Sequence, residues 1–219
     1  MIRNPQEKFI TLYDTAKKCL LILDHLYSDF EKATLLAIDP KKIKADSSIV
    51  TEIYIAALGM IDYLHRFYEI ICAMPLIRND QPELKKLKEL LVPVHNCRNY
   101  LQHMRSDLMA NDPINYPILG AISWINDGRN YMLFSNQATQ SCTAPSIAYD
   151  RLSKKYICKY SLSVGGHEIQ LDIIYTQVKL FWEWIEKTTE ISPPQIKDYK
   201  WGEPTIRFLE IKTALPRKP

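Results

Sequence analysis

Between Ile49 and Ile71 the apolar residues Ile49, Ile53, Ala57, Met60, Leu64 and Ile71 recur at helical spacing and nearly encircle the helix they define. A helix that is apolar almost all round must be enclosed by other elements. This segment starts near Ser47/Ser48 and is stopped by Pro75 after Met74, and it is expected to be the central, most buried helix. Its neighbours carry one-sided patterns. Asn4-Pro5-Gln6-Glu7 reads as a helix start, with Asn as N-cap, Pro at the first helical position and Glu three residues after the cap. Phe9, Leu12, Ala16, Leu20, Leu23, Tyr27 and Phe30 then follow at helical spacing to about Ala33. The Asp39-Pro40 and Lys41-Lys42 stretch is expected to end that helix as a solvated connection. A third helix is expected from Gln81-Pro82-Glu83 to about Leu108 or Met109, with Leu84, Leu87, Leu91, Val94, Leu101 and Leu108 as its apolar stripe. Pro93 lies inside it, removes one backbone hydrogen bond and predicts a kink or a restart.

After Asn111-Asp112-Pro113 the pattern changes. Tyr116-Pro117, Trp124 and Asp127-Gly128 interrupt the helical period. Tyr131 to Phe134 reads as a strand, as does Tyr156 to Val164; Gly165-Gly166 then suits a tight hairpin turn, with Glu168 to Leu171 on the return strand. A closing helix is expected from about Ile174 to Thr189, with Val178, Phe181, Trp182 and Ile185 on one face. Phe181-Trp182-Glu183-Trp184 reads as core or dimer surface rather than a base-stacking platform. The fold class is thus mainly α: an up-down helical bundle over residues 1–110, a small antiparallel sheet or hairpin with a closing helix over 111–190, and a proline-rich tail over 191–219.

With 219 residues and 47% hydrophobic composition the chain is long enough for a well-buried core. The net charge of +3 permits an RNA partner without demanding one. Cys19, Cys72, Cys97, Cys142 and Cys158 are odd in number, widely spaced and free of any Cys-x-x-Cys pair, so they read as reduced thiols and not as a disulfide framework or a zinc knuckle. No basic segment followed by an apolar region opens the chain and no apolar run approaches bilayer length, which predicts a soluble, cytoplasmic protein with no membrane partner.

The chemistry is concentrated in Arg98-Asn99-Tyr100-Leu101-Gln102-His103. A guanidinium offers a planar fork that matches phosphate oxygens, and an imidazole can take or give a proton near neutrality. Arg98 lies at the border of the apolar stripe, where a charge needs a partner. Asp62 and Glu69, which share a face of the second helix, are the candidate carboxylates to orient it; the same residues equally form a surface ladder of Asp62-Arg66 and His65-Glu69 pairs at i+4. His95, Asn99, His103 and Asp107 follow one another at i+4 as a polar column, which puts His103 about 140° from Arg98 on the same helix. Such a pair cooperates best across a symmetric dimer seam. His95, Cys97 and His103 cannot all converge from one helix, so the spacing suggests no metal site. Cys97 reads as a packing thiol, with a Cys-His nucleophile as the alternative. There is no Gly-rich phosphate loop and no Gly-x-Ser-x-Gly elbow, and no cofactor is indicated.

The order Arg98, Asn99, His103 resembles the signature of the HEPN superfamily, small helical domains that include metal-independent endoribonucleases and toxins. The element order over residues 111–190 is similar in layout to bacterial HEPN-like proteins related to abortive-infection factors. The resemblance implies a homodimer whose paired motifs line one cleft. It implies that Arg98 binds the scissile phosphate, that His103 acts as acid or base, and that Asn99 positions phosphate or imidazole. It implies RNA as substrate, a defence or toxin-like role, and a cognate antitoxin or inhibitor as a further partner. In one toxin branch a Tyr lies two residues after the His; here that residue is Arg105, so regulation through such a Tyr is not expected. The competing expectation is a non-catalytic homodimeric helical interaction protein, with Arg98 locked in an ion pair and His103 turned to bulk water.

Overall fold

The computed structural model describes residues 5–75, 77–110, 117–135, 148–150 and 152–188. Three long helices dominate, α1 (Pro5–Leu36), α3 (Ser48–Cys72) and α4 (Pro82–Ala110), with α2 (Pro40–Ala45) between the first two and α5 (Leu171–Thr188) last. The expected N-cap Asn4, Cys142 and the tail over 191–219 lie outside the described residues.

Against the expected solvated connection, Asp39-Pro40 opens α2. The Asp39 side chain accepts a hydrogen bond from the Lys41 backbone N–H at 2.9 Å, and Pro40 occupies the first turn. The next helix starts at Ser48, where Asp46 Oδ1 accepts from the Ser48 N–H at 2.9 Å while the Ser47 side chain caps nothing. α4 runs through Pro93 without stopping or restarting. Val92 and Glu89 are exposed and Pro93 half-buried, so the ring sits at the solvent edge, where water can satisfy the Glu89 carbonyl that Pro93 leaves without a donor.

α3 packs against both α1 and α4. Ile53, Ala57, Met60, Leu64 and Ile71 are buried, in keeping with the encircling apolar pattern, although Ile55 is 63% exposed. One hydrophobic cluster continues from α1, α3 and α4 into the sheet and α5.

The sheet has four strands in the order β2-β1-β5-β6, all pairs antiparallel: β1 (Ala121–Asn126), β2 (Arg129–Phe134), β5 (Tyr160–Val164) and β6 (His167–Gln170). A separate two-stranded piece pairs β3 (Tyr149–Asp150) with β4 (Lys155–Tyr156). β1 was not expected. It lies between β2 and β5 with Ala121 to Trp124 buried, and a strand covered on both faces shows no polar alternation to betray it. Asp127 and Gly128 (φ 48° and 71°) turn β1 into β2, as Gly165 and Gly166 (φ 56° and 79°) turn β5 into β6. The expected single strand from Tyr156 to Val164 is divided, because the Asp172 carboxylate at the start of α5 takes the N–H groups of Lys159 and Tyr160 at 3.0 and 3.1 Å.

The β5–β6 hairpin is the surface on which α4 docks. Cys97 and Tyr100 are buried there, the Cys97 thiol 3.8 and 3.7 Å from the carbonyls of Val164 and His167. Among the described residues, no helix is long and apolar enough to cross a membrane.

Candidate functional site

Burial of Leu87, Leu91, Val94, Cys97 and Tyr100 fixes the roll of α4 about its axis. That leaves His95, Arg98 and Gln102, spaced i+3 and i+4, along one edge of the helix. On α3 the burial of Ile61, Leu64, Phe67 and Ile71 places Asp62, His65 and Glu69 along a corresponding edge. The two edges meet. Asp62 Oδ1 lies 3.5 Å from Arg98 Nε, and the Nδ1 atoms of His65 and His95 are 2.6 Å apart. Rising numbers on α3 meet falling numbers on α4, so the helices run antiparallel at this seam.

Asp62 meets two arginines at once. Its Oδ2 accepts a hydrogen bond from Arg66 Nε at 2.6 Å, one turn along α3, while Oδ1 faces Arg98 at the outer limit of hydrogen bonding. Burial alone would raise the Asp62 pKa; the hydrogen bonds and charges of Arg66, and then of Arg98, outweigh it and hold the carboxyl below the ordinary carboxylate range. Arg98 is half-buried, and its Nη1 donates to Gln102 Oε1 at 3.1 Å. Nη2 makes no hydrogen bond among the described residues.

Glu69 does not reach Arg98. It stands with His65 and His95 in a group whose ligand atoms, one from each residue, lie within 4.8 Å of one another. Sequence spacing could not display this group, because His95 joins it from a helix 30 residues away. The signal that was present, His65 and Glu69 at i+4, is shared by any surface ladder. The imidazole planes of His65 and His95 are nearly perpendicular (86°), with centroids 4.7 Å apart, and the Tyr68 ring packs on His95 at 5.0 Å. At 2.6 Å one Nδ1 must carry a hydrogen and the other a lone pair. Desolvation lowers the pKa of both histidines; the Arg98 charge lowers them further, and Glu69 opposes this.

The expected polar column divides at this point. His95 turns into the seam, whereas Asn99 and His103 are exposed and make no hydrogen bond or ion pair among the described residues. The fourth member, Asp107, has its side chain outside the described residues. Within one chain His103 therefore stands apart from Arg98, five residues and about 7.5 Å of helical rise away. Arg105 is exposed as well.

Cys97 is removed as a nucleophile candidate. Burial pushes its thiol up to about 12, so it is protonated at neutral pH. The aromatic cluster of α5 has buried Phe181 and Trp182, while Trp184 joins Leu87, Leu90 and Leu180 in an apolar groove of about 660 Å³ between α4 and α5 that includes none of the motif residues. No protein-family model, curated protein or solved structure matches the chain.

Proposed function

We propose that the outer face of α4 is the RNA-binding surface of a HEPN-type endoribonuclease, metal-independent and assembled from two copies of the chain. The observation that carries this reading is the state of Arg98. Asp62 and Gln102 hold its guanidinium through Nε and Nη1, and Nη2 makes no hydrogen bond among the described residues. A fork held in place and left partly exposed is suited to a phosphate oxygen and to the charge that develops on it during cleavage. His103, exposed on the same helix, supplies a proton carrier, and Asn99 an amide to position phosphate or imidazole. Because Arg98 and His103 diverge on one helix, the His103 that acts beside a given Arg98 belongs to the second copy. A defence or toxin-like role, with an antitoxin or inhibitor, follows from this reading.

The test is incubation of purified full chain with structured and single-stranded RNAs, with and without EDTA. Cleavage is expected to survive EDTA, and Arg98→Ala and His103→Ala are each expected to lower the rate about a hundredfold or more with the fold intact. Cleavage that persists unchanged in His103→Ala would sink this assignment. A second reading, a non-catalytic homodimeric interaction protein, is favoured by one specific observation: Arg98 is already paired within its own chain. It is chosen if light scattering reports a dimer and no RNA is cut.

A further inference from the structure

The three groups His65, Glu69 and His95 are left without a part in the RNA reading, which uses Arg98, Asn99 and His103. We propose that they form a binding site for a divalent first-row transition ion of the zinc type, bridging α3 and α4.

The geometry carries this. His65 and Glu69 project from one face of α3 at i+4, His95 comes from α4 across the seam, and the three ligand atoms lie within 4.8 Å of one another. Two imidazoles and one carboxylate are a donor set suited to Zn²⁺, Co²⁺ or Fe²⁺, whereas Ca²⁺ and Mg²⁺ select oxygen ligands. The two Nδ1 atoms already point at each other at 2.6 Å and share a single hydrogen. Exchanging that hydrogen for an ion at ordinary zinc-nitrogen distance requires a separation of about 3.3 Å, an opening of about 0.7 Å from the observed 2.6 Å. The carboxylate can close the remaining distance, because Glu69 is exposed and its side chain makes no hydrogen bond or ion pair among the described residues. The Tyr68 ring, packed edge-on against His95 at 5.0 Å, restrains the imidazole. Solvent reaches the group at Glu69, so water can supply the fourth ligand.

Charge around the group is mixed. Asp62 and Glu69 act on His65, and Glu69 on His95, against Arg98, which faces both imidazoles, and Lys88, which faces His95. The donor set therefore selects a metal that bonds strongly to imidazole over one held by net negative charge alone. Bound there, the ion would staple the two helices one turn from Arg98 and stabilise the folded chain by mass action.

The experiment uses the full chain, stripped with chelator and dialysed. Zn²⁺ is titrated by calorimetry, and Co²⁺ by its visible absorption, a signature of the coordination sphere. One ion per chain is expected. His65→Ala and His95→Ala are each expected to weaken binding by more than the roughly 10- to 100-fold that loss of an outer-shell partner costs. Glu69→Gln, an exposed change that keeps the side chain's shape, is expected to weaken binding and alter the Co²⁺ spectrum, while removal of the exposed His25 and His167 leaves both unchanged. Absence of stoichiometric binding, or binding indifferent to Glu69→Gln and His95→Ala, overturns the proposal. Because the readout is binding and not RNA cleavage, either outcome is independent of the ribonuclease assay.

Discussion

The seam between α1 and α3 and the seam between α3 and α4 share a helix but differ in what holds them. On the first, the Leu26 side chain lies so close over Gly59 that a Cβ there would be 3.1 Å from its end, and buried apolar residues line both helices. On the second, the buried core is edged by a row of half-buried titratable groups, Asp62 with Arg98 and His65 with His95. Apolar contact is stabilising in proportion to the area removed from water, whereas partly exposed ion pairs contribute little. The difference teaches where to look for each property: stability resides in the buried faces of α3, and chemistry along its outer edge toward α4.

The largest effect should come from the buried face. Met60 and Leu64 are fully buried, and replacing either by Ala removes apolar contact and leaves a cavity, which is expected to cost about 2–5 kcal/mol. Chemical denaturation of both variants measures this. An unchanged midpoint for either would abolish the contrast between the two seams.

The same contrast explains what was legible in the sequence. Long helices announce themselves through a 3.6-residue period, and Met60, Leu64, Leu91 and Val94 are buried as that period predicts. β1 was hidden because it is enclosed on both faces, and α2 because Asp39-Pro40 serves equally as a loop and as a helix start. Arg98 was identifiable as a charge in need of a partner, and Asp62 as one of two candidates. Glu69 could not be separated from Asp62 by sequence, since both occupy the same face of α3; only the register of α4 decides that Arg98 meets Asp62 and that Glu69 meets the histidines. The His65–His95 contact depends on the relative position of two helices, a tertiary property with no local signal.

A smaller effect is expected at the outer edge. Asp62 and Arg98 have side chains 38% and 23% exposed, and their contact is long at 3.5 Å, so a double-mutant cycle should return a coupling of about 0.2–1 kcal/mol. The Asp62–Arg66 pair, shorter at 2.6 Å but more exposed and within one helix, should give a similar value, about 0.3–0.5 kcal/mol. A coupling above about 2 kcal/mol for Asp62–Arg98 would mark the guanidinium as a fixed structural element, as in a buried pair, and count against its use for phosphate.

The smallest effect is the acid dependence of that edge. Arg66 and Arg98 hold the Asp62 carboxyl below its ordinary range in the folded chain despite the opposing effect of burial. A depressed folded pKa means that the carboxylate contributes stability above its unfolded value of about 3.9 and loses it as pH falls through the folded value. The stability difference between the natural chain and Asp62→Asn should therefore be flat from about pH 7 to 5 and close below about pH 4. Solvent screening keeps the whole difference within a fraction of a kcal/mol, so the comparison must be made at low salt, where surface charges are least screened. Raising the salt should shrink the plateau, whereas the deficit of Leu64→Ala should stay where it is. A difference that persists undiminished at pH 3 and in high salt would show that Asp62 acts through the shape and hydrogen bonding of its side chain, and the edge of the α3–α4 seam would then be held by the same kind of force as its core.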